Sequence, residues 1–171
     1  LDVPFERRGR LLDEHLAAWE VLWRESPASF AGEHYRFDDV WLEPKAWRLD
    51  GPRLWFGGES LHPRLLRRIV RHGHGFHPLG FIRGEDLELL RAALERAGRS
   101  LDESELVGGM RSPFPDDDGV APLGPALESI RPQWDVGVRT FCIKPNQYID
   151  DLALYRAWCR EVVERVGEVT A

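Results

Sequence analysis

The sequence has few cysteines, no excess of basic charge and no long apolar run. Its 171 residues include 2 cysteines, Cys142 and Cys159, too few for a disulfide framework and typical of a reducing compartment. Both lie in apolar patterns, so we expect them to be buried and inert. The 23 lysines and arginines are outnumbered by 29 acidic residues, for a formal net charge of -6. A nucleic-acid partner is not expected, because such proteins usually carry a basic face.

Long hydrophobic stretches are also missing. No apolar run approaches the ~20 residues that a membrane-spanning helix requires, and the first residues lack the pattern of a signal peptide. We therefore expect a cytoplasmic protein with no membrane partner. Hydrophobic residues still make up 43% of the chain, an ordinary proportion for a folded globular protein.

Hydrophobic periodicity predicts a long amphipathic helix, then a hairpin, then alternating strands and helices. The helical stripe begins near Glu6 and stops before Pro27, and the hairpin pattern runs from Ser29 to Pro44. Four strand and helix units follow. Their predicted strands are residues 54–56, 75–79, 105–110 and 137–143, and their helices lie at 63–72, 87–97, 126–134 and 152–166. Such alternation implies an α/β fold with a parallel sheet.

The segment from Leu54 to Leu79, LWFGGESLHPRLLRRIVRHGHGFHPL, is the most informative part of the chain. Its first three residues form a short apolar run that predicts a strand buried on both faces. Gly57 and Gly58 predict a tight turn after that strand, because glycine tolerates positive φ and lets a ligand approach the backbone. The alternative is a tight turn that binds no ligand.

A helix start follows this glycine turn. His62 and Pro63 are predicted to be its cap and first residue. Unpaired N–H groups and partial positive charge at a helix start favour an anion, and the Ser60 hydroxyl adds a donor. The segment therefore predicts a cradle for phosphate or carboxylate. Glu59 would repel such an anion, so we expect it to point away and to serve as a cap or as the partner of an arginine.

Four pieces of the sequence, in order, resemble one enzyme family. They are VPFERRGRLLDEHLAAWEVLW from Val3, SFAGEHYRFDDVWLEPK from Ser29, the GGES turn and the segment RHGHGFHPL. Together they resemble the luciferase-like monooxygenases, which are flavin- and deazaflavin-dependent oxidoreductases built on a TIM barrel. The resemblance implies a (β/α)8 barrel of the bacterial luciferase type. With 171 residues against the ~250 of such barrels, we expect a single domain, residues 1–171, that holds only the C-terminal half, about four βα units.

The resemblance also implies an activity and cofactors. The expected cofactor is coenzyme F420 or FMN, and the substrate is a small organic molecule. With the deazaflavin we expect hydride transfer, and with reduced FMN we expect oxygen insertion, supported by a separate flavin reductase. A homodimer is expected, and whether the fragment alone is active is left open. Two alternatives stay open: a truncated assembly module with no catalytic activity, and a phosphate-binding barrel aldolase or isomerase.

Candidate site residues follow from the rule that TIM barrels place catalytic groups at the carboxyl ends of their strands. Gly57, Gly58, Glu59 and Ser60 follow the first predicted strand and match the turn that contacts the cofactor's phosphate-bearing tail in the family. His77 follows the second strand and is a candidate general acid or hydrogen-bond donor, with a structural histidine as the alternative. Arg111 and Lys144 follow the third and fourth strands and are candidates for binding an anionic substrate or a polyglutamate tail, with solvated loop positions as the alternative.

The three histidines His72, His74 and His77 raise the possibility of a metal site. Their predicted positions argue against it. His72 is expected to end a helix and His74 to begin the next strand, so the three rings would have to converge from opposite ends of a short strand. We therefore predict no metal site.

Overall fold

The computed structural model describes residues 3–48, 50–114 and 119–171. The chain divides into two compact units, Leu1–Leu54 and Trp55–Ala171. That residues 1–171 form a single domain stays a prediction.

The first unit consists of a helix and an antiparallel hairpin. A 3-10 turn at Phe5–Arg7 leads into helix α1, Arg8–Arg24. Strands β1, Ala28–Ala31, and β2, Arg36–Val40, pair in antiparallel fashion. The predicted long helix and hairpin are thus confirmed.

The carboxylate of Glu14 ties α1 to the turn of the hairpin. It accepts backbone N–H bonds from Glu33 at 3.1 Å and from His34 and Tyr35 at 2.7 Å each. Burial raises the pKa of Glu14, but these three bonds and the nearby His34 ring together outweigh it and hold the pKa below 4.5. The ionised carboxylate therefore stabilises the hairpin turn.

The second unit is built on a parallel sheet of four strands in the order β3-β4-β5-β6. The strands are β3 (Trp55–Gly58), β4 (Gly75–Pro78), β5 (Glu105–Gly109) and β6 (Thr140–Cys142). The helices are α2 (Pro63–His72), α3 (Gly84–Arg96), α4 (Leu123–Glu128), α5 (Ile130–Asp135) and α6 (Tyr155–Thr170). An α/β fold with a parallel sheet is confirmed. The described strands form an open sheet, so the closed barrel and its C-terminal half stay predictions.

The first strand of this sheet differs from its prediction in two ways. Gly57 and Gly58 belong to β3 itself, in register with His77 and Pro78 of β4, rather than to a turn after it. Burial on both faces is also wrong, because Trp55 is 45% exposed. The reason is that β3 is an outer strand of the described sheet, so one side of it has no neighbouring strand there.

The last third of the chain holds two more corrections. The helix predicted over residues 126–134 is two short helices, α4 and α5, with the change of direction at Ser129. Pro132 accounts for the break, since it has no N–H to donate to the carbonyl of Glu128. Cys142, expected to be buried, is exposed at the end of β6, and Cys159 is half-buried.

Two apolar clusters hold the helices against the sheet. The first joins α2 and α3 to the strands, and the second gathers the residues of α4, α5 and α6 beside β6. Phe141 of β6 packs against both clusters. The side chains with the largest fully buried volume are Phe76, Ile69, Leu90, Leu94, Ile130, Val107 and Val138.

The guanidinium of Arg99 closes the end of α2. It donates to the carbonyls of Ile69 at 3.1 Å, of Val70 at 2.7 Å and of Gly73 at 2.7 Å. These carbonyls belong to the last turn of α2 and the residue after it, where backbone donors become scarce, and that of Ile69 also accepts the N–H of Gly73 at 2.8 Å. Arg99 thus links the loop after α3 to the entry of β4.

We expect Arg99→Gln to lower the free energy of unfolding by about 1–2 kcal/mol, because three carbonyls lose a charged donor. Urea denaturation measures the change. The matched control is Arg96→Gln, which removes the same charge from an exposed site in the last turn of α3. Equal stability of the two variants would contradict the role of Arg99.

We expect the Glu14 carboxylate to make the stability of the chain depend on pH. Its pKa is lowered on folding, so its contribution is complete above 4.5, the unfolded value, and is lost as the pH falls below it. The melting temperature should therefore fall more steeply below that pH in the parent chain than in Glu14→Gln. Glu6→Gln, at an exposed site, is the control. Parallel pH profiles for the parent and Glu14→Gln would disprove this contribution.

Candidate functional site

A cleft of about 380 Å³ opens at the carboxyl ends of β4, β5 and β6. Three residues predicted from the sequence line it: His77 from β4, Arg111 after β5 and Lys144 after β6. The other lining residues are Pro78, Leu79, Gly80, Gly109, Met110, Ser112, Phe114, Cys142 and Gln147. Parallel pairing brings these groups together, because the carboxyl ends of the strands meet at one edge of the sheet.

The cleft combines positive charge with an apolar wall. Arg111 and Lys144 are both exposed, and no carboxylate is among the described residues that line the cleft. The Arg111 guanidinium donates from Nη2 to the carbonyl of Leu79, so it reaches from the end of β5 to the loop after β4. Leu79, Met110 and Phe114 supply apolar surface. Such a cleft suits an organic molecule that carries negative charge.

The predicted cradle, residues 57–60, lies one strand away. It is not among the described residues that line the cleft, and it adjoins the cleft through the N–H of Leu79, which donates to Gly58 O at 3.3 Å. Neither Gly57 nor Gly58 has a positive φ, although tolerance of positive φ was the reason for predicting a glycine turn at these positions. Close packing requires glycine instead, since a Cβ would lie 3.0 Å from His77 O at Gly57 and 2.8 Å from the side chain of Leu65 at Gly58.

His62 is the cap of α2, as predicted. Its extended backbone precedes the helix, and its Nδ1 accepts the N–H of Leu65 at 3.3 Å. The N–H of Leu61 donates to Asp86 at 3.3 Å, and that of His62 donates to Ser60 O at 3.0 Å. Several donors that the sequence assigned to an anion are therefore already used. The side chain of Ser60 is exposed.

Asp86 anchors this helix start to α3. Its Oδ2 accepts from Arg83 Nε at 2.9 Å and Nη2 at 2.8 Å, and the residue is 7% exposed. The hydrogen bond to Asp86 and its charge raise the pKa of Arg83, with a smaller contribution from Glu85. Glu59 is exposed, and the cap position predicted as one of its alternatives is held by His62.

Tyr148 holds the chain just after β5. The residue is 6% exposed, and its hydroxyl donates to Met110 O at 3.3 Å. Burial raises the pKa of Tyr148 and outweighs the opposite effect of the Ser112 N–H, so the hydroxyl stays neutral near pH 7. Its ring stacks on Trp158 with centroids 5.9 Å apart. Nothing in the sequence pattern indicated this contact.

Gln133 of α5 holds the last residue of β5. Its Oε1 accepts Gly109 N–H at 3.3 Å, and its Nε2 donates to Gly109 O at 3.0 Å and to Ser129 O at 2.7 Å. The residue is 3% exposed. A Cβ at Gly108 would collide with Gln133 Oε1, so Gly108 is the small residue that this contact requires. Sequence analysis missed Gln133 as well.

The histidines do not form a metal centre in this structure. In residues 3–48, 50–114 and 119–171, no group of three histidine, cysteine, aspartate or glutamate side chains is placed to hold a metal ion. His77 lines the cleft, whereas His72 is buried at the end of α2. The same ranges contain no helix that is both long and apolar enough to cross a membrane.

Comparison with known proteins identifies the family. The family described as luciferase-like monooxygenase matches residues 2–119, more than half of the chain. The chain belongs to the luciferase-like monooxygenase family. The matched region of this family member includes the GGES turn, His77 and Arg111, and it ends before Lys144.

A curated relative and two solved structures extend the comparison. The FMNH2-dependent dimethylsulfone monooxygenase of Pseudomonas putida is 28% identical over 90 residues, which are 53% of this chain and 23% of the relative. An F420-dependent secondary alcohol dehydrogenase, solved with an F420-acetone adduct, has a TM-score of 0.67 at 16% identity, over 96% of this chain and 64% of its own. The monooxygenase RslO1 of Streptomyces bottropensis has a TM-score of 0.55 at 23% identity, over 68% and 36%.

These comparisons support the fold and also show its extent. The two structures, both under 25% identical, share the fold of this chain. The chain spans less than two thirds of the length of each protein, from 23% to 64%.

We expect Gln133→Leu to lower the free energy of unfolding by about 2–3 kcal/mol, because both backbone groups of Gly109 lose their partner in a buried position. Urea denaturation measures the loss. Arg131→Leu, at an exposed position of the same helix, should change stability by less than about 0.5 kcal/mol and serves as the control. A Gln133→Leu chain as stable as the control would contradict the anchoring role.

Proposed function

We propose that this chain is part of a flavin- or F420-dependent oxidoreductase that acts on a small organic molecule. The observation that carries the proposal is the cleft at the carboxyl ends of β4, β5 and β6, where parallel α/β sheets bind their ligands. Membership of the luciferase-like family supports it. The names of two relatives, an FMNH2-dependent monooxygenase and an F420-dependent dehydrogenase, support F420 or FMN as the cofactor.

The GGES turn fits the phosphate-bearing tail of such a cofactor. Gly57 is exposed, and a Cβ there would meet only the carbonyl of His77 within 4 Å, so the backbone can be approached closely. Ser60 is exposed beside the start of α2, so its hydroxyl can donate a hydrogen bond to a ligand. Gly57, Gly58 and Ser60 would hold the phosphate, with Glu59 directed away from it. The N–H groups of Leu61 and Leu65 already donate to Asp86 and His62, which leaves fewer backbone donors for the phosphate. The Ser60 hydroxyl is not affected by these bonds.

The residues of the cleft would bind and orient the substrate. The bound cofactor supplies hydride transfer as F420, or oxygen insertion as reduced FMN. His77, on a strand end in the cleft, is suited to donate a hydrogen bond or a proton to the ligand. Leu79, Met110 and Phe114 would exclude water on one side. We further propose a cytoplasmic homodimer, and a separate flavin reductase as partner if the cofactor is FMN.

Cofactor titration tests the proposal. The 171-residue chain and the gene product that contains it are titrated with FMN, riboflavin and F420, and binding is followed by cofactor fluorescence. Binding of one cofactor to the longer protein supports the proposal and identifies the cofactor. Binding of none by either protein would overturn it and favour a non-catalytic assembly module.

We expect Ser60→Ala to weaken binding of FMN by about fivefold, because one hydrogen bond to the phosphate is lost. Binding of riboflavin, which lacks the phosphate, should not change. Ser26→Ala removes an exposed hydroxyl from the other unit and should leave both affinities as they are. Equal losses for FMN and riboflavin would show that Ser60 does not contact the phosphate. If F420 is the cofactor, the same variants are compared with F420.

A further inference from the structure

The turn after β5 presents a hydroxyl that has no partner. Ser112 lines the cleft, and its Oγ is buried without a hydrogen-bond partner among the described residues. A buried hydroxyl left unsatisfied costs free energy, so such groups are usually paired with protein, water or ligand. Ser112 is therefore the first sign that a polar ligand group belongs at this place.

Two cations line the same cleft as this hydroxyl. Arg111 precedes it in the chain, and Lys144 comes from the end of β6. The two positive side chains are exposed, with no carboxylate among the described lining residues to neutralise them. A guanidinium, an ammonium and a hydroxyl are together a donor set for an oxyanion.

A buried hydrogen bond fixes the backbone next to Arg111. Tyr148 donates from its buried hydroxyl to the carbonyl of Met110, so the residue that precedes Arg111 is fixed. The Arg111 side chain is fixed in turn by its bond to Leu79 O. A donor set whose positions are set before binding loses less entropy when the ligand arrives.

The neighbouring surface selects for a ligand larger than an inorganic ion. Leu79, Met110 and Phe114 line the same cleft, and its volume of about 380 Å³ accommodates a small organic molecule. The GGES turn, assigned above to the phosphate of the cofactor, is not among the described residues of this cleft. The anion held here is therefore separate from the cofactor.

We propose that Arg111, Lys144 and Ser112 form an anion subsite that binds a carboxylate, sulfonate or phosphate group on the substrate, with Tyr148 as the positioning residue. The substrate class is then an organic anion with an apolar body. This inference rests on the proposed oxidoreductase function, because the bound anion is a substrate only if the protein is an enzyme. Its binding test does not require a cofactor.

The test compares two probes of equal shape, naphthalene-2-sulfonate and the uncharged naphthalene-2-sulfonamide, by fluorescence titration of the 171-residue chain. We expect the sulfonate to bind about tenfold more tightly, since it alone makes charge-assisted bonds. Arg111→Gln and Lys144→Gln should each remove most of that preference, and Ser112→Ala should reduce it by about threefold. Equal affinities for the two probes, or a preference that survives both charge substitutions, would overturn the proposal.

Three controls locate the effect. Arg91→Gln removes an exposed charge from α3 and should leave the preference unchanged. Gly80→Leu should weaken binding of both probes, since Gly80 lines the cleft and a Cβ there would meet no atom within 4 Å, which leaves room for the larger side chain beside the probe. Binding that is unaffected by Gly80→Leu would place the probes elsewhere and overturn the subsite. Thermal unfolding of each variant confirms that it is folded.

Tyr148→Phe separates positioning from packing. The ring and its stack on Trp158 remain, while the bond to Met110 is lost. We expect the sulfonate preference to fall while the affinity for the sulfonamide is retained, with a lower melting temperature because a buried hydrogen bond is removed. If the preference is retained in Tyr148→Phe, the positioning role is wrong.

Two further titrations identify the source of the anion. Inorganic phosphate should compete with the sulfonate only weakly; equal displacement at equal concentration would show a site for free anions and overturn the organic part of the proposal. In the longer protein, Arg111→Gln and Lys144→Gln should leave the ratio of FMN to riboflavin affinity unchanged, and a lower ratio would assign the anion to the cofactor. Cofactor binding without sulfonate preference overturns the subsite alone, whereas the reverse result overturns the proposed oxidoreductase.

Discussion

Two buried side chains hydrogen-bond to the backbone at the carboxyl end of β5, and the geometry of the cleft depends on these bonds. Gln133 binds both the N–H and the carbonyl of Gly109 from the helix side. Tyr148 donates to the carbonyl of Met110 from the segment after β6. Parallel pairing with β4 and β6 then brings His77 and Lys144 to the same place. Displacement of this strand end would separate Arg111 and Ser112 from His77 and Lys144.

Much of the fold could be predicted from periodicity alone, since burial on one face of a helix leaves a repeating apolar stripe. The α1 helix, the hairpin and the four strands appear where the pattern places them. Failures occur where the outcome depends on neighbours in space. Trp55 has the apolar character of a buried strand yet lies on an outer strand, and β6 covers only Thr140–Cys142 of the predicted residues 137–143.

Some residues of the candidate site could likewise be predicted from the sequence, and others could not. His77, Arg111 and Lys144 could be found because strand ends converge in any parallel sheet, whatever the side chains. Gln133 and Tyr148 could not, because their partners lie 24 and 38 residues away and neither sits in a recognisable motif. The glycines at 57 and 58 were identified for the wrong physical reason: they are small where backbone and side chain approach closely, not where φ is positive.

Gln133 and Tyr148 form their hydrogen bonds only to main-chain atoms, and this has a consequence for how the sequence of such a protein can diverge. The path of residues 109 and 110 is set by hydrogen bonds to main-chain atoms, which do not depend on the side chains at positions 111 and 112. Those side chains can be exchanged while the chain path before them stays the same. In the proposed subsite, substrate preference and fold would then be encoded by different residues, so ligand choice could change during evolution at little cost in stability.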